Sequence, residues 1–230
     1  MSTQPRLKDK DIREPLFDFL EEQFGRVRII EEKMMGRSRA DVIMVAEDAL
    51  IGIEIKSDAD TYARLARQVK DYDLYYDYNY VVVGSSHGLH IEEHVPSHWG
   101  IITVERISAQ SDPGETAEAH APADLLDFYM LRHASRNDQV DMERKMQILW
   151  RPELAHIQQL NMMPKHANKS KRAVVKEIID AVPGERLNRQ ISAELFERDY
   201  TTIEETLKTY RSENRRSRPR RRRRRKHPVQ

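Results

Sequence analysis

Two short apolar segments in tandem constrain this chain more than any other feature. Leu50–Lys56 reads LIGIEIK, and Asp41–Ala46 just before it reads DVIMVA. Side chains alternate across an extended strand, so Ile51, Ile53 and Ile55 share one face. Gly52, Glu54 and Lys56 share the other, which places an acid and a lysine about 6.6–6.8 Å apart along the strand. Glu47-Asp48 is a turn between the segments, so the strands pair antiparallel and Asp41 can meet Glu54. Two convergent carboxylates beside a lysine, on a face thinned by Gly52, are costly unless something compensates them. A divalent cation does so, and hard oxygen ligands of this number suit Mg2+ or Mn2+.

Context selects these residues; the tripeptide alone does not. Acid-x-Lys recurs at Glu31-Glu32-Lys33 and at Glu143-Arg144-Lys145. Neither copy lies in an alternating strand that follows another strand opened by Asp, and the second falls in a helical pattern. Without that context, Glu54 and Lys56 would be a surface pair contributing roughly 0–1 kcal/mol.

The remaining pattern supplies a frame. Ile12, Leu16, Phe19 and Leu20 recur at helical spacing after Asp11, a candidate N-cap, and Gly25 ends that helix. Val27–Glu32 is a strand, as are Tyr80–Val83 and Gly100–Val104. Asp60 can cap a helix from Thr61 to about Tyr76, and Leu89–His94 reads as a short helix stopped by Pro96. The order α-β-β-β-α-β-α-β predicts an α/β fold: a mixed β-sheet flanked by helices. This core spans 1–106. Residues 107–122, rich in Ser, Ala, Pro, Gly and acid, read as a linker. Helical patterns near 123–132, 141–150, 171–181 and 191–210 make 123–210 a helical C-terminal region.

The last segment is compositionally different. Residues 211–230 hold 11 of the 39 Lys+Arg and one of the 38 Asp+Glu, with an unbroken basic run from Arg220 to Lys226. The first 210 residues therefore carry 28 basic and 37 acidic side chains, under a near-neutral total of +1. The tail has no apolar periodicity to offset the entropy of ordering and reads as disordered. Such a block contacts polyanions, nucleic acid first among them. The competing readings are a solubilising tail or one that docks on its own acidic body. The chain has no cysteine, which excludes a disulfide scaffold, a thiolate nucleophile and a cysteine-based zinc site. No run approaches the roughly 18–20 apolar residues of a membrane span, and no apolar leader is visible at the N-terminus. A cytoplasmic setting with no membrane partner is the expectation.

Asp41 followed thirteen residues later by Glu54-Ile55-Lys56 resembles the PD-(D/E)XK nuclease signature. Gln68-Val69-Lys70-Asp71-Tyr72, in the next helix, is similar to the QxxxY motif of the RecB-like branch; Gln68 and Tyr72 lie one turn apart on one face. The segments EIKSDADT, RQVKDYDLYYDYNYVVVG, VPSHWGI, LWRPEL and KSKRAVVKEII resemble a family of small bacterial and phage proteins assigned to that superfamily, over about residues 10–200. One departure is that Ala40 stands where the signature has proline.

The resemblance implies a restriction-endonuclease-like fold and metal-dependent hydrolysis of DNA phosphodiester bonds. Asp41, Glu54 and the Ile55 carbonyl would hold Mg2+ or Mn2+. Lys56 would orient the attacking water or neutralise the phosphate, and Gln68 would support the site. Arg37, Arg39 and Tyr72 are the candidate substrate contacts. Glu14 is a candidate outer acid, although Asp11-x-x-Glu14 is also a capping-box pattern and Glu31 and Glu32 compete for the role. Two other functions fit the same residues: a non-catalytic nucleic-acid-binding accessory protein on this fold, or an interaction protein whose basic tail serves assembly. The helical C-terminal region is a candidate protein-binding element. His87, His90, His94 and His98, Trp99 and Trp150, and the Met34-Met35 and Met162-Met163 pairs read as structural residues. Asn168–Arg172 reads equally as a solvated helix start or a phosphate contact.

Overall fold

The computed structural model describes residues 7–35, 38–57, 60–84, 90–107, 125–164 and 168–200, with positions 205, 208 and 209; of 32–34 it describes the backbone only. Chain order is α1 (Asp9–Phe24), β1 (Arg28–Met35), β2 (Ser38–Val45), β3 (Leu50–Lys56), α2 (Leu65–Tyr75), β4 (Tyr78–Gly84), β5 (Gly100–Ile107) and β6 (Leu125–Arg132). Four helices follow: α3 (Met142–Met146), α4 (Arg151–Leu160), α5 (Lys171–Ala181) and α6 (Gly184–Phe196). The six strands form one sheet in sequential order. β1, β2 and β3 run antiparallel, β3, β4 and β5 parallel, and β6 antiparallel to β5. The α/β expectation of a mixed sheet flanked by helices is met.

Each face of the sheet carries its own apolar layer. On one, Ile12, Leu16 and Leu20 of α1 pack over Val42, Met44, Ile51, Ile53, Val82 and Ile102. Burying each such side chain contributes roughly 1.5–3 kcal/mol, which offsets the hydrogen bond that Pro15 removes from α1. Gly25 ends α1 at φ +73°, where its N–H reaches the Glu21 carbonyl at 2.9 Å. On the other face, Ile43, Val45, Val81, Val83 and Trp99 pack against Tyr72 and Tyr76 of α2. The same layer includes Ile148, Leu154, Val175, Ile178 and Ile191 of the C-terminal helices. The helical region thus shares one core with the sheet.

Several boundaries differ from the sequence pattern. Residues 125–132 are strand β6, not helix, and add a sixth strand to the five expected. The run LLDFYMLR has no clear period, and pairing with β5 decides it: Leu126, Phe128 and Met130 turn to the α1 side, where Phe128 stacks on Phe19 at 5.3 Å. Helix α1 starts at Asp9, and Asp11 sits at its third position, accepting the Lys8 N–H at 3.1 Å. Asp60 bonds the Ser57 N–H and hydroxyl at 2.9 and 2.6 Å, so a 3-10 turn at Tyr62–Arg64 precedes α2. The helix expected over 89–94 is a single 3-10 turn, Ile91–Glu93. The pattern 141–150 breaks after α3, and a second helix, α4, begins at Arg151. The helix expected over 191–210 starts earlier, as α6 over Gly184–Phe196 after Pro183, and leaves the helical path at 197–200; of 201–210 only 205, 208 and 209 are described, and these are helical. Most of the 107–122 linker, its 108–122 part, and the whole 211–230 tail lie outside the described residues. No helix of the described residues is long and apolar enough to cross a membrane.

Candidate active site

The β2–β3 register sets the site. Val42 pairs with Ile53 and Ile43 with Gly52, so one further step places Asp41 opposite Glu54. The turn enforces this register through an Ala46 N–H to Ala49 carbonyl bond of 3.0 Å. Gly52 is needed for what lies above it. A Cβ there would come within 2.3 Å of the Tyr76 ring and 2.6 Å of the Tyr72 ring. The missing side chain lets α2 settle onto β3, which brings Gln68 and Tyr72 to Glu54.

Glu54 is 1% exposed and every contact it makes has a direction. Its Oε1 accepts from Lys56 Nζ at 2.5 Å and from the Gln68 amide. Gln68 Oε1 in turn accepts from Lys56 Nζ at 3.1 Å, closing a triangle of acid, amide and ammonium. Glu54 Oε2 lies 2.8 Å from the Tyr72 hydroxyl, which also sits 3.1 Å from the Ile53 carbonyl. Its one proton serves one of these acceptors at a time, and its oxygen accepts the Asp41 N–H at 3.3 Å. Lys56 has three N–H donors, of which two are used by Glu54 and Gln68.

Asp41 is held differently. Its Oδ2 accepts the Ile55 N–H at 3.0 Å, while Oδ1 lies 3.6 Å from Arg13 Nη2. Burial and the negative charge of Glu54 push the Asp41 carboxyl up to about 7, although the Ile55 N–H and Arg13 act in the opposite sense. The pair is therefore short of positive charge. Burial and the same negative charge raise the Tyr72 hydroxyl, which stays protonated and donates. Burial alone would lower Arg13, but its bond to Asp9 and the charges of Asp41 and Glu31 raise it.

A cleft of about 520 Å3 opens on this group. Asp41, Glu54, Ile55, Lys56 and Gln68 line it, together with Arg13, Arg39, Arg64 and Arg67. Two carboxylates and the Ile55 carbonyl, short of compensating charge, fit Mg2+ or Mn2+, since Mg2+ is commonly held by one or two carboxylates with water and phosphate oxygens completing its shell. Among the described residues no group of three or more His, Asp and Glu side chains is arranged to hold a metal ion.

The expected Asp41, Glu54, Lys56 and Gln68 come together, and Arg39 reaches the cleft. Tyr72, expected as a substrate contact, does not line it: the ring is fully buried and its hydroxyl lies against Glu54. Glu14 points away from the cleft, exposed on α1, because Ile12 and Leu16 set that helix's buried face. Its neighbour Arg13 and the acid Asp9 occupy that side instead. Arg37 and the Glu32 side chain lie outside the described residues. Arg13, Arg64 and Arg67 were legible only as spacings, Asp9 with Arg13 and Arg64 with Arg67 and Gln68, each within one turn. The three described histidines of the cluster face separate partners: Glu93 for His90, the Tyr62 ring for His94 and Asp73 for His98. Met162 is 94% exposed and packs on nothing. Lys169 and Arg172 at the start of α5 pair with Glu177 and Glu143.

A family model described as bacteriophage P4 protein cII matches residues 3–221. The chain belongs to this family. The match takes in the whole sheet, the cleft and all four C-terminal helices. No curated protein and no solved structure matches the chain.

Proposed function

We propose that this member of the P4 cII family is a metal-dependent deoxyribonuclease of the PD-(D/E)XK superfamily, with a restriction-endonuclease-like core. One observation carries the reading: Glu54, Lys56 and Gln68 form one hydrogen-bonded group in a cleft rimmed by arginines, with Asp41 held beside it by the Ile55 N–H. Asp41, Glu54 and the Ile55 carbonyl would hold Mg2+ or Mn2+. When bound, such an ion polarises the phosphate and makes hydroxide available near neutral pH. Lys56, fixed by Glu54 and Gln68, keeps its third N–H for the attacking oxygen or a phosphoryl oxygen, where negative charge grows in the transition state. Arg39, Arg64 and Arg67 neutralise neighbouring phosphates and hold the strand across the cleft. Water adds to phosphorus and the P–O bond to the leaving sugar breaks.

Cleavage of labelled linear, circular, single-stranded and duplex DNA in Mg2+, Mn2+ or EDTA, beside Lys56→Ala, tests this. Metal-dependent cutting that Lys56→Ala abolishes is the expected result. Binding without cutting in every metal would overturn it in favour of an accessory protein that uses the cleft and tail to hold nucleic acid.

A further inference from the structure

We propose that Arg13 is a built-in counter-cation of the site, one that competes with the divalent ion for Asp41 and so weakens metal loading in the DNA-free protein. The inference rests on the metal reading above and concerns how that site is regulated.

The geometry of Arg13 supports it. The side chain is 14% exposed and comes from α1, not from the strands that carry the carboxylates. Nε donates to Asp9 Oδ2 at 2.7 Å. Nη1 donates to the Asp41 carbonyl at 3.2 Å and lies 3.4 Å from Glu31 Oε2. These contacts hold the guanidinium plane against Asp41 while leaving Nη2 without a hydrogen bond among the described residues. Nη2 lies 3.6 Å from Asp41 Oδ1, an ion-pair distance rather than a bond.

The two oxygens of Asp41 are unequal in consequence. Oδ2 accepts the Ile55 N–H, and Oδ1 lies at ion-pair distance from Arg13 on the cleft wall. Of the two oxygens Oδ1 accepts no hydrogen bond among the described residues, and it is the one that Arg13 faces. A fixed positive charge a few ångströms away opposes a divalent cation strongly in a cleft of reduced dielectric. A nucleic-acid phosphate relieves the opposition: Nη2 turns its unused donors to the anion, and its charge no longer works against the metal. Metal and phosphate therefore load together, and the free protein stays poorly charged.

The test is direct Mn2+ binding to the full chain without DNA, followed by the paramagnetic resonance of free Mn2+. Wild type, Arg13→Gln, Arg13→Lys and Asp41→Asn are compared after their far-UV spectra and melting points establish folding. Arg13→Gln should tighten Mn2+ about tenfold, whereas Arg13→Lys, which keeps the charge, should stay near wild type. A short phosphorylated oligonucleotide should tighten Mn2+ in wild type and less so in Arg13→Gln. If Arg13→Gln binds Mn2+ no better than wild type, or more weakly, Arg13 merely organises the carboxylates and the proposal falls. If wild type cleaves DNA normally in that case, the nuclease reading survives alone. If no variant binds Mn2+ without DNA, including Arg13→Gln, the proposal falls, and DNA cleavage in Mn2+ alone decides the nuclease reading.

Discussion

Two buried lysine–carboxylate pairs in this molecule have nearly the same geometry and opposite surroundings. Lys56 meets Glu54 at 2.5 Å, and Lys145 meets Asp77 at 2.5 Å. The second pair is closed: Lys145 is 0% exposed, its Nζ also reaches Asn188 at 2.8 Å, and Asp77 accepts the Leu50 N–H at 2.7 Å. It ties α3 and α6 to the sheet. Burial lowers the Lys145 ammonium despite Asp77, and neither residue lines the cleft at Glu54. The first pair opens on a cleft, with a second carboxylate beside it that is raised to about 7. Each lysine uses two of its three N–H donors, so the pairs differ in their surroundings: one is sealed in the core, and the other lines a cleft beside a second acid.

This contrast can be broken experimentally. The largest effect expected is on catalysis: Asp41→Ala and Lys56→Ala should each lower DNA cleavage by the folded protein by at least about 10²–10³-fold, with DNA binding near wild type. Lys145→Ala should do the reverse. It leaves Asp77 buried and unpaired, so urea unfolding should show a loss of about 3–5 kcal/mol, with cleavage of the still-folded fraction unchanged. If Lys145→Ala lowers the intrinsic rate as far as Lys56→Ala does, the division between the two pairs is wrong.

Smaller effects sharpen it. In the metal-free protein Asp41 keeps its proton to about pH 7, whereas the unfolded chain releases it near 3.8. A raised carboxyl contributes stability that is complete below about pH 4 and lost as pH rises through 7. Denaturation at stepped pH should show that decline, Asp41→Asn should flatten it, and saturating Mg2+ should restore stability at the upper end. The smallest expected effect belongs to the rim: Arg64→Ala and Arg67→Ala should each reduce the slope of log K against log salt for DNA by about 0.7–0.9, equally across sequences. An unchanged slope would take phosphate contact away from that rim.

The same two pairs explain what could be read in advance. Glu54 and Lys56 announce themselves because strand alternation puts i and i+2 on one face and a short turn fixes the opposing strand. Glu143-Arg144-Lys145 has the same tripeptide on a helix, where i and i+2 diverge: Glu143 pairs with Arg172, 2.5 Å away, and Lys145 turns inward. Nothing local distinguishes a lysine that will be buried from one that will be solvated, since Asp77 and Asn188 lie far along the chain. Tyr72 was visible as one turn from Gln68, but its burial depends on Gly52 beneath it and on α2 above the sheet. Arg13 is an ordinary helix residue until packing of Ile12 and Leu16 turns its side of α1 toward Asp41.

By itself, the sequence determined the alternating strands, the tight turn between β2 and β3, the end of α1 at Gly25, and so the meeting of Asp41 with Glu54 and Lys56. All of these follow from periodicity and turn chemistry acting over a few residues. Tertiary structure alone decided that 125–132 is an edge strand and that the C-terminal helices share the sheet's core. It also decided that Lys145 is a strut and that arginines from α1 and from the start of α2 surround the cleft. Each of those outcomes depends on partners tens of residues away, and burial and charge pairing are settled only when the layers close.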